Sequence, residues 1–323
     1  MPPPIGLRQD RPITDATTTD LTTTHHSVVT DDQIDHLGHM NVRFYGVNAQ
    51  AGSRSLLAAI ATDDPRRFVP VDFYTRHHRE QLLGARLVVR SGVVDVGVDQ
   101  LRLYHELANE ETGTLAATFV HRVVAEEANG DRSPLSDDIT TRARAMVVAI
   151  PEHGATRSIS LEADPVASAP SLERVRELDL AMRQVRAVTP EECDASGTYL
   201  RSNAPMLTWA GEPVHRGNPE MLYEGPAGER MGWASMETRI AIRRLPRAGD
   251  RVQSFSAVIG LADKTSYRIQ WVYEVDGGDL LTTFEIVNLA FDTGSRRPLS
   301  IPARLRAAEQ SVLHEELAPR RVS

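Results

Sequence analysis

From Met40 onward, apolar residues recur at three- and four-residue steps through Phe44, Val47, Ala51, Leu57 and Ile60. This is the spacing of one face of an α-helix. No proline interrupts the run, and Asp63, Asp64 and Pro65 close it. Before it, Val28 and Val29 read as a short strand leading into a turn over residues 30–35. After it the pattern changes. Residues 71–78, 85–96, 100–107 and 114–124 are rich in β-branched side chains. Gly84, Gly97, Gly113 and Gly130 punctuate them as turns between antiparallel strands would. Residues 142–150 read as a further strand or a connector. Residues 151–170, with Gly154, Pro165 and Pro170, read as loop, and 171–184 as a helix with Ser171 at its N-cap. Residues 303–317 carry the pattern of a terminal amphipathic helix.

The second half echoes the first. Asp194-x-x-Gly197 follows Asp35-x-x-Gly38 at an offset of 159, and Thr238-Arg239 follows Thr75-Arg76 at 163. Gly249 follows Gly84 at 165, Tyr273-Glu274-Val275 follows His105-Glu106-Leu107 at 168, and Gly294-x-x-x-Pro298-Leu299 follows Gly130-x-x-x-Pro134-Leu135 at 164. Five matches in the same order predict an α+β unit, one long helix followed by an antiparallel sheet, occurring twice. The expected boundaries are a flexible tail over 1–24, a first unit over 25–150, a linker over 151–184, a second unit over 185–302 and a C-terminal helix and tail over 303–323. The tail is rich in Pro, Thr and Asp, a composition that cannot offset its ordering entropy by burying apolar surface.

Composition narrows the function classes. The chain has 323 residues, 41% hydrophobic and 25% charged, with a formal net charge of -8. Such a chain lacks the basic field that drives non-specific nucleic-acid binding. No apolar run approaches the roughly 18 residues of a membrane helix, and the N-terminus has no apolar signal region. The single cysteine, Cys193, forms no internal disulfide. These features lead us to expect a cytoplasmic protein with neither nucleic-acid nor membrane partners.

The densest polar cluster is Asp32-Gln33-Ile34-Asp35-His36-Leu37-Gly38-His39-Met40-Asn41, between a strand and the start of the long helix. A helix N-terminus presents unpaired N–H groups and a positive dipole end, which can polarise a carbonyl or stabilise an oxyanion. Asp35 stands just before it, where a carboxylate could act on a water or directly on a carbonyl. An Asp before a helix is also a common N-cap, and Gly38 also suits a plain turn.

Asp35-x-x-Gly38-His39-Met40-Asn41-x-x-x-Tyr45 resembles the signature of hot-dog-fold thioesterases, the 4-hydroxybenzoyl-CoA thioesterase superfamily that includes acyl-CoA and acyl-carrier-protein thioesterases. All five positions of that pattern are filled. The resemblance implies a double hot-dog, each unit a curved antiparallel sheet wrapped around a long central helix. It implies hydrolysis of an acyl thioester, on coenzyme A or acyl-carrier protein, without a cofactor or metal. Asp35 matches the catalytic base or nucleophile, and His39 and Asn41 the polar residues that support it. Gly38, Met40 and Tyr45 would border the substrate, and backbone N–H groups at the helix start would face the thioester carbonyl. The family site lies where two units meet, so the second half is expected to line it. One chain would supply both units and act as a monomer or a homo-oligomer.

The second copy departs from the pattern. Thr198 stands where the His would be, Leu200 where the Asn would be, and Pro205 falls where the helix should run. One competent site per chain is the expectation. Competing functions are a hot-dog hydratase or dehydratase on an enoyl or 3-hydroxyacyl thioester, whose motif is one residue wider, and a non-catalytic acyl-CoA binder. Other candidates are weaker. His36 and His39 lack a third metal ligand nearby. Only one of His77 and His78, adjacent on a strand, can face a pocket. Cys193 has acidic neighbours that disfavour a thiolate. Arg43, Arg76, Arg79, Arg90 and Arg102 could meet phosphates but read singly as a solvated face, and Trp209, Trp233 and Trp271 read as core.

Overall fold

The computed structural model describes residues 21–320 other than 36, 63, 65–66, 128–129, 179, 210, 215–221, 225–227 and 229. Most of the expected tail, together with His36, Asp63 and Pro65, therefore lies outside the described residues. The chain forms two compact units that divide between residues 156 and 157.

The first unit contains β1 (Thr22–Val28), a 3-10 turn (Asp31–Gln33), α1 (Val42–Ile60), β2 (Arg67–His77), β3 (Arg86–Val96), β4 (Gln100–Asn109), β5 (Leu115–Glu126) and α2 (Asp137–Arg144). The strands lie in the order β1-β3-β4-β5-β2, all antiparallel. Order begins earlier than the composition suggested, because Thr22 and Thr23 already pair with Ser91 and Arg90. Residues 142–150 do not form the further strand considered above. Ser136 caps α2 by accepting the Ile139 N–H, and the helix covers residues up to 144.

One face of α1 is buried through Tyr45, Asn48, Ala49, Gly52, Ser53, Leu56, Leu57 and Ile60, which is the 3.6-residue period expected of a helix lying on a sheet. Each large apolar side chain contributes on the order of 2 kcal/mol by leaving water. Gly52 sets the closeness of approach, since a Cβ there would stand 2.6 Å from the Val89 side chain. Beside it lies a sealed polar chain. Ser53 Oγ is 2.8 Å from both His105 Nε2 and His121 Nδ1, and Ser91 Oγ is 2.7 Å from His105 Nδ1 and 2.7 Å from Thr24 Oγ1. Hydroxyls can donate or accept, so this chain satisfies two fully buried imidazoles without a charge.

The second unit contains α3 (Leu172–Glu177), β6 (Ala181–Met182), β7 (Arg186–Ala187), 3-10 turns at Pro190–Glu192 and Arg201–Trp209, β8 (Leu222–Glu224), β9 (Arg230–Ile242), β10 (Arg251–Leu261), β11 (Thr265–Glu274), β12 (Leu280–Asp292), α4 (Ala303–Gln310) and a last 3-10 turn (Glu315–Leu317). Its strands follow the order β9-β12-β11-β10-β6, with β7 on β10 and β8 on β9. Across the first sheet, Ser91, His105, Phe119 and Thr75 form one paired row. Ser256, Gln270, Phe284 and Ile240, each 165 residues later, form the corresponding row here. The looser offsets of 163 and 168 therefore do not mark equivalent positions in the two sheets.

No long helix runs through the second unit among the described residues. Arg201–Trp209 is a 3-10 stretch containing Pro205, whose missing N–H and ring disfavour an α-helical interior. Nor is 151–184 a free linker. Leu172, Val175 and Leu180 pack with Trp271 and Phe255 in the second unit's core. Glu237 accepts N–H groups from Arg157, Ser158 and Ile159, and Arg239 donates to the Ser160 and Ala163 carbonyls. In the first unit, Arg76 donates to the Ala155 carbonyl and His153 lies 2.6 Å from the buried Glu106.

Burial holds His121 down at about 3 and His105 well below the usual imidazole range, with His121 adding to the latter. Folded-state values below the unfolded value mean stability that is full above about pH 6.5 and declines as pH falls toward 3. Urea titrations should show a loss of roughly 1.4 kcal/mol per pH unit for each histidine in that window. Ser53→Val, which strands both imidazoles, should destabilise the protein by about 2–4 kcal/mol at neutral pH.

Candidate active site

The residues of the sequence motif form a tight loop ahead of α1. The Asp35 N–H donates to the His39 carbonyl, and the Gly38 N–H donates back to the Asp35 carbonyl. Gly38 has φ +83°, with nothing within 4 Å of where a Cβ would stand. Its role is thus the left-handed turn itself rather than room for a substrate. Leu37 N–H donates to Asp35 Oδ1 at 2.9 Å, which fixes the carboxylate within the loop.

A second segment meets this loop. On leaving β2 the chain bends around Ala116, whose carbonyl accepts both the His78 and Arg79 N–H groups. The Met40 N–H then donates to the Gln81 carbonyl at 2.8 Å, and Tyr45 Oη donates to the Arg79 carbonyl at 3.1 Å. This clasp sets Glu80 beside the motif. His39 stands between two carboxylates, with Nδ1 3.5 Å from Asp35 Oδ2 and Nε2 3.4 Å from Glu80 Oε1. The three side chains are 13–23% exposed, so they are sheltered but open to a ligand. A neutral imidazole can donate to only one carboxylate, and an imidazolium to both. The array can hold and pass a proton.

The motif residues separate into distinct roles. Asp35 and His39 are brought together. Asn41 caps α1, its side chain accepting the Arg43 N–H at 3.0 Å. Met40, expected at the substrate, is 1% exposed and sits in the core with Val29, Leu87 and Leu107. Tyr45, also expected to border the substrate, is buried. Burial raises its phenol far above the ordinary range, with Glu80 and Asp35 adding to the shift. It serves to brace the 79–81 segment.

The helix start offers fewer donors than the motif implied. The Asn41 N–H is engaged by the Gln33 carbonyl, Met40 by Gln81 and Arg43 by the Asn41 side chain. Among the described residues, the N–H groups of His39 and Val42 have no such acceptor. Glu80 is the residue that sequence reasoning missed. It lies 41 positions beyond His39 in an unremarkable His-His-Arg-Glu run, and only the clasp makes them neighbours.

The loop backbone recurs in the second unit. Asp194 N–H donates to the Thr198 carbonyl, Gly197 to Asp194, Leu200 to Glu192 and Tyr199 to Pro246. The chemistry does not recur. Thr198, Leu200 and Leu245 occupy the places of His39, Asn41 and Glu80. Asp194 Oδ1 is taken up by its own loop, accepting from Ser196 N, Ser196 Oγ and Thr198 N. Burial and the Glu192 and Asp194 charges raise the Cys193 pKa.

Residues 28–143 match the family described as the thioesterase-like superfamily. The fold is shared with an acyl-ACP thioesterase from Bacteroides thetaiotaomicron, at 8% identity and TM-score 0.58, over 85% of this chain and 100% of that one. It is also shared with a 12:0-ACP thioesterase from Umbellularia californica, at 10% identity and TM-score 0.56, over 84% and 94%. No curated protein matches the chain. The family match falls within the first unit, and the fold is the hot-dog fold of those structures.

Asn41→Ala should lower stability by about 1 kcal/mol through loss of the cap, while Asn41→Asp should keep it. Thermal melts check the cap. Activity lost in the stable Asn41→Asp variant would give Asn41 a chemical role as well.

Proposed function

We propose that the first unit hydrolyses an acyl thioester of coenzyme A or acyl-carrier protein to the free acid and the thiol, with one active centre per chain. The observation that carries this reading is His39 held between Asp35 and Glu80 at the start of α1. Thioester chemistry needs little more. The carbonyl is electrophilic and the thiolate leaves readily, so one carboxylate and a few oriented N–H donors suffice.

Asp35 acts in one of two ways. As a base it takes a proton from water, the hydroxide adds to the carbonyl, and collapse expels the thiolate, which is then protonated. As a nucleophile it adds to the carbonyl, expels the thiolate to give a mixed anhydride, and water cleaves that anhydride. In both routes His39 orients Asp35, and Glu80 holds His39 from its other side. The Asp-x-x-x-His spacing supports hydrolysis over hydration of an enoyl thioester. Two structures that share the fold are ACP thioesterases by name, which supports the carrier protein as one substrate form. The absence of His, Asn and Glu equivalents around Asp194 supports a scaffolding role for the second unit. We place the protein in the cytoplasm, as composition suggested. No helix among the described residues is long and apolar enough to cross a membrane.

Coenzyme A release from short, branched, aromatic and long acyl-CoAs tests the reading. Asp35→Asn should lower kcat by about 10²–10⁴-fold, and Glu80→Gln by roughly tenfold, as loss of an orienting partner would. Full turnover in Asp35→Asn would place the centre elsewhere. Single turnover in ¹⁸O-water separates the routes, since label found in Asp35 requires the anhydride.

A further inference from the structure

Of the two adjacent histidines that end β2, the structure turns one toward the helix. His77 pairs with Ala117, on the face of the sheet where Ala117 and Phe119 pack with Tyr45 and Ala49. His78 lies on the opposite face, with Nε2 3.4 Å from Thr118 Oγ1. The His77 ring meets the Tyr45 ring edge-on, with centroids 5.2 Å apart. Tyr45 is itself fixed to the Arg79 carbonyl, so the clasp that places Glu80 also places His77. His77 is half-buried rather than sealed.

His39, His78, His105, His121 and His153 each have a polar partner. Among the described residues no hydrogen bond reaches the His77 ring. Burial lowers its pKa to about 4, so at neutral pH it presents one N–H donor and one lone pair. A plain alkyl chain laid against such a ring desolvates both groups and leaves them without a partner. A hydroxyl can satisfy either. Sites built to bond a substrate hydroxyl discriminate strongly against analogues that lack it.

We propose that His77 is a substrate-recognition residue, hydrogen-bonding an oxygen on the acyl group close to the thioester, so that 3-hydroxyacyl groups are preferred over unsubstituted ones. This deepens the thioesterase reading and rests on the Asp35 cluster being the reacting centre. His77 takes no part in bond breaking.

Calorimetry with the full chain tests it, using non-hydrolysable thioether analogues of butanoyl-CoA and 3-hydroxybutanoyl-CoA. Wild type should bind the hydroxylated analogue about tenfold or more tightly than the plain one, as one well-made hydrogen bond allows. His77→Phe, which keeps a ring against Tyr45, should abolish the preference, and His77→Gln, which keeps a hydrogen-bonding end, should restore most of it. A purely structural role would instead make the two variants respond to size and leave the preference unmoved. Equal binding of the two analogues by wild type, failure of both to bind, or a preference that survives in His77→Phe overturns the proposal. Coenzyme A release from butanoyl-CoA by wild type is followed separately. Its absence would overturn the hydrolase reading, while the thioether comparison would still decide the role of His77.

Discussion

The site depends on the clasp between two loops of the first unit. One carries the motif from Asp35 to Asn41, and the other leaves β2 and turns into β3. Their backbones are joined by Met40 N–H to the Gln81 carbonyl, and by the reciprocal pair of Val29 and Ala85, Gly84 and Val29. These bonds fix the start of α1 against the sheet. They also leave His39 with a carboxylate on each side. A catalytic array on loops needs support of this kind, because loop backbone without partners is too mobile to hold side chains to within a fraction of an ångström. Tyr45 completes the support from the helix side.

The second unit shows what the clasp does without its side chains. Tyr199 N–H meets the Pro246 carbonyl, Gly249 N–H meets Val188, and Gly197 turns with φ +75°. The backbone device is therefore a property of the fold. In one unit it presents a histidine between two acids. In the other it carries Thr198 and Leu245, and the remaining Asp194 is drawn into its own turn. The same contrast holds beneath the helix. The row Ser91–His105 is completed by Ser53 of α1, whereas among the described residues the corresponding Gln270 keeps a buried Oε1 without a hydrogen-bond partner and no such helix lies over it.

Much of the fold was legible because periodicity is a local property. The apolar spacing from Met40 to Ile60 gave α1, and the glycine-punctuated β-branched runs gave β2 to β5 to within a few residues. Capping was legible at Ser171, whose side chain accepts the Arg174 N–H. The misses have physical reasons. Thr22 and Thr23 are polar and look like tail, yet an edge strand exposes one face and needs no apolar run. Residues 151–184 look like linker, yet their polar backbone is held by Glu237, Arg239 and Arg76, which lie up to about 80 positions away.

The sequence by itself determined the motif loop, with Asp35, Gly38 and His39 in one turn ahead of α1, whereas the capping role of Asn41 came from the structure. Those relations span a few bonds, and chain geometry nearly dictates them. It also determined that the second copy had lost its histidine and asparagine. Only the tertiary structure decided that Glu80 stands beside His39, that Met40 and Tyr45 are buried in the core, and that His77 rather than His78 faces the helix. Each of these turns on strand register and on which loops meet, and such long-range pairing has no counterpart in the spacing of residues along the chain.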